Sequence, residues 1–303
     1  MDIGGLVGVI AGLLALVGVG VVLRVTGLLS AEDSRPLNTM LMYVALPALI
    51  FSSVHRAALD PKLAMLPLVG WAVALIGLAI GWVLARLLKL EGPIAGAFIM
   101  ASVFGNTGYM GYPVAMALMG DAGLVRAIFS DVFGNTAAVI SIGTLVAGYY
   151  GAGDVKVNPL KEIVTFPPFI ALAAALALHA VPIPELVTSW LDALGSVVIP
   201  VIMISVGLSL KPRKLKGHLS LASIVVGTKL VVLPLIALGI GSLVLDDPES
   251  LRVAVIEAGV PTMMLLVIMG QRYKLDSDFI TSVILLTMVG AVVTIPVLQL
   301  LLG

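Results

Sequence analysis

Gly105-Asn106-Thr107-Gly108-Tyr109-Met110-Gly111-Tyr112-Pro113 and Glu257-Ala258-Gly259-Val260-Pro261-Thr262 interrupt two apolar runs that are otherwise long enough to cross a membrane. Each stretch lies in mid-run, with no polar flank close enough to be its end. In hydrocarbon, a backbone N–H or C=O without a partner is costly. A break at that depth is tolerated only where protein or a water-filled cavity satisfies the freed groups. Interrupted helices at corresponding positions of two halves point to the binding site of a transporter. The pair therefore predicts a protein that moves a solute across a membrane.

Composition supports this reading. The chain is 60% hydrophobic and 11% charged, with a mean hydropathy of +1.17, whereas a soluble domain is about a quarter charged. The formal net charge is zero, so no basic or acidic tail argues for nucleic acid. Cysteine is absent, which removes disulfides, thiolate catalysis and Cys-based metal sites. Met1-Asp2-Ile3 lacks a basic leader, and the apolar run to Leu23 has no cleavage signal, so it reads as a first span.

A bilayer needs about 20 apolar residues per helix. The sequence supplies ten such runs, at 3–23, 36–54, 64–88, 94–119, 123–150, 163–180, 185–210, 218–244, 250–270 and 277–302. The longest intervening loop, Gly151 to Glu162, divides the chain near its midpoint. Leu46-Pro47-Ala48-Leu49-Ile50-Phe51 in span 2 matches Ile199-Pro200-Val201-Ile202-Met203-Ile204 in span 7, with the prolines 153 positions apart. Pro113 and Pro261 are 148 apart. Two landmarks at one period predict a five-helix repeat, 1–150 and 151–303. Because five is odd, the second repeat is inverted. The expected fold is an all-α integral membrane protein of ten transmembrane helices, with broken helices 4 and 9 crossing at the membrane centre.

Orientation follows from Lys and Arg. The odd loops hold Arg24, Arg35, Arg86, Lys89, Lys156, Lys161, Lys211, Arg213, Lys214, Lys216, Arg272 and Lys274, twelve in all. The even loops and their edges hold four: Arg56, Lys62, Arg126 and Arg252. The positive-inside rule then puts the odd loops in the cytoplasm of a cell (plasma or inner) membrane and both termini outside.

Within span 4, the glycines let backbones approach closely, and Pro113 suits the first turn of a new half-helix. The half-helix start offers free N–H groups and a positive dipole end to an anion. Asn106 and Thr107 add an amide and a hydroxyl that can orient a carboxylate, beside Gly108, Tyr109, Pro261 and Thr262. The same glycines also suit tight helix packing alone. Glu257 in span 9 and Asp131 with Asn135 in span 5 place carboxylates inside apolar runs. Such groups usually face a cavity and mark ion or proton paths; a buried structural acid is the plainer reading for Asp131. Asp131, Asn135 and Glu257, with Asn106 or Thr107, are the expected coupling site. Their Asn and hydroxyl ligands suit sodium better than a proton. Apart from such a sodium ion, no cofactor is called for. Lys229 is the only Lys in mid-span; it can pair with an acid, meet an anionic substrate or snorkel. Trp71, Trp82 and Trp190 read as lipid-facing or belt aromatics.

Asn106-Thr107-Gly108-Tyr109-Met110-Gly111-Tyr112-Pro113 resembles the signature Asn-Thr-x-x-Met-Gly-x-Pro of the auxin efflux carrier family. Leu46-Pro47-Ala48-Leu49 is similar to that family's span 2, and the stretch from Ala258 through Pro261, Tyr273 and Leu275 to Pro296 to its last two helices. The resemblance covers all ten spans. It implies the fold shared with bile acid:sodium symporters: a scaffold of spans 1, 2, 6 and 7, often dimeric, and a transport domain of spans 3–5 and 8–10 that moves against it as an elevator. By this match Asn106 lies at the carboxylate of an organic anion. Three departures shape the expectation. Span 3 carries no ionisable residue before Arg86, where the plant carriers have a charged pair, and the central loop is about a dozen residues long. Both point away from auxin and toward a small mono- or dicarboxylate. Glu257 stands where the plant carriers have a neutral Gln and near a Glu of the sodium symporters, which suggests cation coupling.

The expected function is a secondary active transporter, a cation symporter of a small organic anion, in contact with the lipid bilayer and dimeric through its scaffold. An inorganic-cation/proton antiporter is the alternative, and the two acids would suit it. A channel would lack the need for paired broken helices. An intramembrane aspartyl protease needs two aspartates in a dyad, and Asp131 has no mid-span Asp partner. No ATP-binding motif supports a pump.

Overall fold

Apolar runs without polar relief must satisfy their backbone internally, which selects helices. A computed structural model describes residues 3–151, 158–209 and 219–302. Among them the elements are helical, with one isolated bridge and no strand. In chain order they are α1 (Ile3–Val25), α2 (Ala31–Arg56), α3 (Pro61–Leu87), α4 (Gly92–Val103), α5 (Thr107–Tyr150), α6 (Pro159–Val164), α7 (Pro167–Ala177), α8 (Glu185–Ser209), α9 (Leu219–Val244), α10 (Pro248–Gly259), α11 (Leu265–Tyr273) and α12 (Ser277–Leu302). Six of these, α2, α3, α5, α8, α9 and α12, are long and apolar enough to cross a membrane. The described residues are thus those of an all-helical, multi-pass membrane protein.

α5 is not straight. Gly120 takes φ 63° and ψ −155°, a left-handed conformation that glycine alone adopts freely. Thr107 and Asp131 are 24 residues apart, about 36 Å along a straight helix, yet their side chains are hydrogen-bonded. The run therefore folds back on itself at Gly120.

Wide, π-type turns interrupt several helices, at Leu41–Ala45, Thr107–Gly111, Asp131–Thr136, Val139–Gly143 and Thr228–Val232. Three of them end two residues before a proline: Pro47, Pro113 and Pro234. Proline lacks the N–H for its i−4 carbonyl and crowds that carbonyl with its ring; opening the preceding turn relieves both. Pro113 therefore does not begin the half-helix, as its position suggested. The helix restarts at Thr107, and the break itself is the short extended piece from Phe104 to Asn106.

Packing follows the apolar faces. α1 lies along the second half of α8, and the second half of α2 packs on α7 and on the first half of α8. α3, α4, α5, α9, α10 and α12 pack around the break. Charged residues collect at the helix ends. Arg56 pairs with Asp192, Lys62 with Asp246, and Arg126 with Asp247 and Glu249; elsewhere Arg272 pairs with Glu162. The loop lysines and arginines Lys156, Lys211, Arg213, Lys214 and Lys216 lie outside the described residues.

Trp82 and Trp190 are exposed, as lipid-facing or belt aromatics are, and the Arg86 guanidinium lies over the Trp82 ring at 4.8 Å. Trp71 is not: it is half-buried, and its indole N–H donates to the Phe133 carbonyl at 2.9 Å. That carbonyl belongs to the wide turn Asp131–Thr136, which frees backbone acceptors that need donors.

Candidate functional site

The two breaks meet. Gly105 and Thr262 form an antiparallel bridge. The Asn106 N–H donates to the Pro261 carbonyl at 2.7 Å, and the Met263 N–H to the Phe104 carbonyl at 2.9 Å. Each extended piece thus serves as the other's strand, which satisfies groups that neither helix could. Side chains complete the accounting. Asn135 accepts from the Gly105 N–H (3.3 Å) and donates to the Gly105 carbonyl (2.9 Å). The Thr262 N–H donates to Thr287 Oγ1 (3.1 Å), while the Thr262 hydroxyl donates to the Ala101 carbonyl (2.8 Å). The N–H groups at the crossing are therefore paired within the protein. Those left for a ligand belong to the first turns after the two breaks, from Thr107 and from Met264 on, where a helix start has no acceptors of its own.

Beside the crossing lies Asp131, buried and fully hydrogen-bonded. Oδ1 accepts from the hydroxyls of Thr107 (2.6 Å) and Thr136 (2.7 Å), and Oδ2 from that of Tyr112 (2.7 Å). Thr107 Oγ1 in turn accepts from Asn135 Nδ2 at 2.9 Å. Asp131, Thr107 and Asn135 thus form one network. Glu257 stands apart from it. Its carboxylate is buried against Gly111, where a Cβ would run into it, and neither oxygen has a hydrogen-bond partner among the described residues. Asn106 is 4% exposed, and its Nδ2 is also without a partner.

Thr107, Ser130, Asn135, Lys229 and Glu257 line one cavity of about 30 Å³, with Val69, Gly70, Val73 and Ala74 of α3 also on its wall. That volume holds a water or two, or a small cation, but no dicarboxylate. Gly108 and Tyr109, in the turn after the break, are partly exposed. Pro261 and Thr262 are buried in the pairing, and Pro113 behind the wide turn. Among the described residues no group of three His, Cys, Asp or Glu is arranged to hold a metal ion.

Sequence reasoning passed over Tyr112, Thr136 and Ser130 and left Lys229 undecided. A buried tyrosine needs a partner for its hydroxyl, so Tyr112 inside the motif carried a signal. Thr136 did not, because the wide turn places it where α-helical spacing would not. Lys229 is 1% exposed, and its Nζ donates to the Ala258 carbonyl. Three of the wide turns, Thr107–Gly111, Asp131–Thr136 and Thr228–Val232, carry site side chains, as such turns often do.

The chain matches the family model described as "Membrane transport protein" over residues 6–299. It is 32% identical over 286 residues to an "Uncharacterized transporter" of Methanothermobacter thermautotrophicus, covering 93% of this chain and 94% of the relative. It is 32% identical to an "Uncharacterized transporter" of Methanocaldococcus jannaschii, over 90% of this chain and 91% of that one. A Rhizobium meliloti protein named "Putative malonate transporter" is 29% identical over 86% of this chain and 84% of its own length.

Proposed function

This chain belongs to the membrane transport protein family, that of the auxin efflux carriers, and from that premise we propose that it is a secondary active carrier of a small organic anion. Its relatives are transporters and not enzymes, which sets the protease reading aside. The observation that carries the proposal is the buried meeting of two helix breaks with a polar amide, Asn106 Nδ2, left without a partner. An unpaired buried donor costs about 1–3 kcal/mol and is retained where a ligand's acceptor completes it.

In this reading the carboxylate of the substrate meets Asn106 and the first-turn N–H groups of Thr107, Gly108 and Tyr109, with Pro113, Pro261 and Thr262 holding the frame. A relative named for malonate favours a dicarboxylate. Asp131, Asn135 and Glu257, with Thr107, serve cation coupling, by sodium or proton. The ten spans form two inverted repeats, and α1, α2, α7 and α8 make a scaffold against which α3–α5 and α9–α12 move; the denser packing within each group than between them supports that division. The twelve-to-four excess of Lys and Arg supports cytoplasmic odd loops and external termini. A cytoplasmic reporter fused after Lys89 should be active and one after Gly303 silent; a live C-terminal fusion rejects this topology. The scaffold's outer face would carry a homodimer.

The decisive experiment is uptake of labelled malonate and of monocarboxylates into proteoliposomes, with sodium and pH gradients imposed separately. Uptake of a carboxylate driven by one gradient supports the carrier. The unpartnered oxygens of Glu257 beside a cavity of cation size favour one second reading, an inorganic-cation/proton antiporter. Sodium flux against protons with no carboxylate uptake would replace the first reading by the second.

A further inference from the structure

A helix that stops inside protein leaves its last carbonyls without donors and its negative dipole end exposed. α10 stops in this way at Gly259. In a carrier coupled to sodium, those carbonyls and the adjoining Glu257 would be natural ligands for the metal. The position is already taken. Lys229, from the wide turn of α9, extends its ammonium to the Ala258 carbonyl. It reaches there because residue 105 is glycine: a Cβ at that position would lie 2.9 Å from Lys229 Nζ. The ammonium lines the same small cavity as Glu257, whose two oxygens have no hydrogen-bond partner.

We propose that the Lys229 ammonium is a tethered substitute for a metal cation at the crossing, so that the native chain binds no sodium there. The hydroxyls that would serve a metal are engaged elsewhere. Those of Thr107, Thr136 and Tyr112 donate to Asp131, and Thr107 Oγ1 also accepts from Asn135. Taken with the carrier reading, one corollary follows: the coupling ion is a proton, taken up by the Glu257 carboxylate on one side and released from the carboxyl on the other. The charged groups near Glu257 are Lys229 of α9 and Asp131 of α5. Tyr112 faces it with a hydroxyl already given to Asp131, and α3 contributes only Val69, Gly70, Val73 and Ala74 to the cavity.

The test uses the purified full-length protein in detergent, with two readouts: equilibrium binding of radioactive sodium, and thermal melting in sodium, methylammonium or choline chloride at equal ionic strength. The native chain should show no saturable sodium binding and one melting temperature in all three salts. Lys229→Ala should melt lower in choline and recover at least half the loss in sodium or methylammonium, with about one saturable sodium per chain. Lys229→Arg, which keeps the charge, should bind none. Saturable sodium binding to the native chain that disappears in Glu257→Gln overturns the proposal. So does a folded Lys229→Ala that is indifferent to both small cations. Should Lys229→Ala not fold, the native chain and Lys229→Arg decide by sodium binding alone. No substrate enters these measurements, so failed malonate uptake would count against the carrier reading and leave this inference standing.

Discussion

Asp131 and Glu257 are both 5% exposed, and they flank the same crossing. Asp131 is held by three hydroxyl donors, and its environment is complete. Glu257 has no hydrogen-bond donor among the described residues and lines a small, mostly apolar cavity together with Lys229. Burying a carboxylate is costly in either place. In the first the hydrogen bonds offset that cost, so the acid fastens the fold-back of α5 to the break. In the second the cost is left standing, which fits the proposed role of an acid that changes charge during a cycle. Equal burial thus hides opposite hydrogen-bonding environments.

The largest expected effect breaks the comparison from the Asp131 side. Asp131→Ala strands the hydroxyls of Thr107, Thr136 and Tyr112 without acceptors. At about 1–3 kcal/mol per unpaired buried donor, partly relieved by repacking, the loss should total about 3–5 kcal/mol. With roughly 2 °C per kcal/mol for a chain of this size, the melting temperature in detergent should fall by about 6–10 °C. A fall no larger than that of a surface substitution would mean that Asp131 is as free as Glu257.

Next comes the amide at the crossing. If the proposed site is right, Asn106→Ala removes a charge-assisted hydrogen bond to the substrate carboxylate, about 1.5–3 kcal/mol, or ten- to a hundredfold in affinity. Stability should change little, since Nδ2 has no partner in the protein. Binding isotherms for whichever anion the proteoliposome assay identifies provide the check; unchanged affinity removes Asn106 from the site.

Glu257→Gln sharpens the comparison by its smallness. Neutralising an acid that no donor supports should leave stability within about 1 kcal/mol of native, or raise it. Dependence of transport on a cation gradient should nonetheless disappear. A destabilisation as large as that of Asp131→Ala would show that Glu257 is held by partners of its own.

Much of this was legible in the sequence. The helices begin and end near the apolar runs, because a membrane-length run has few other ways to satisfy its backbone. The breaks were legible from Gly and Pro in mid-run, and Asn106, Thr107, Asp131, Asn135 and Glu257 all lie at or beside the crossing. The break's exact place was not legible: Pro113 is the stronger signal, but a wide turn absorbs it, and the chain opens at Phe104–Asn106 instead. The same wide turns shift side chains off α-helical spacing, which hid Thr136. Lys229 was visible as an anomaly, but its partner is a backbone carbonyl 29 residues away, and no side-chain pattern encodes that contact.

The smallest effect comes from a third acid, on the same helix as Glu257 but at its other end and outside the apolar interior. Asp247 caps α10, accepting from the N–H groups of Glu249 and Ser250. Partial burial pushes its carboxyl up, but hydrogen bonds from Ser250, Arg126 and the Glu249 N–H outweigh this and hold it down at about 2, against an ordinary 3.8. A carboxyl whose folded value is depressed contributes stability that is present above the ordinary value and lost as pH falls toward the folded one. The window is therefore from about pH 4 down to about pH 2. The Asp247 side chain is about a third exposed, so solvent screens the ion pair and the contribution stays below about 1 kcal/mol. Asp247→Asn should lower the melting temperature by a degree or two at pH 6. The gap between variant and native protein should narrow as pH falls through 4 and close near 2. A gap that persists unchanged to pH 2 would mean that the cap's geometry, and not its charge, is what α10 uses.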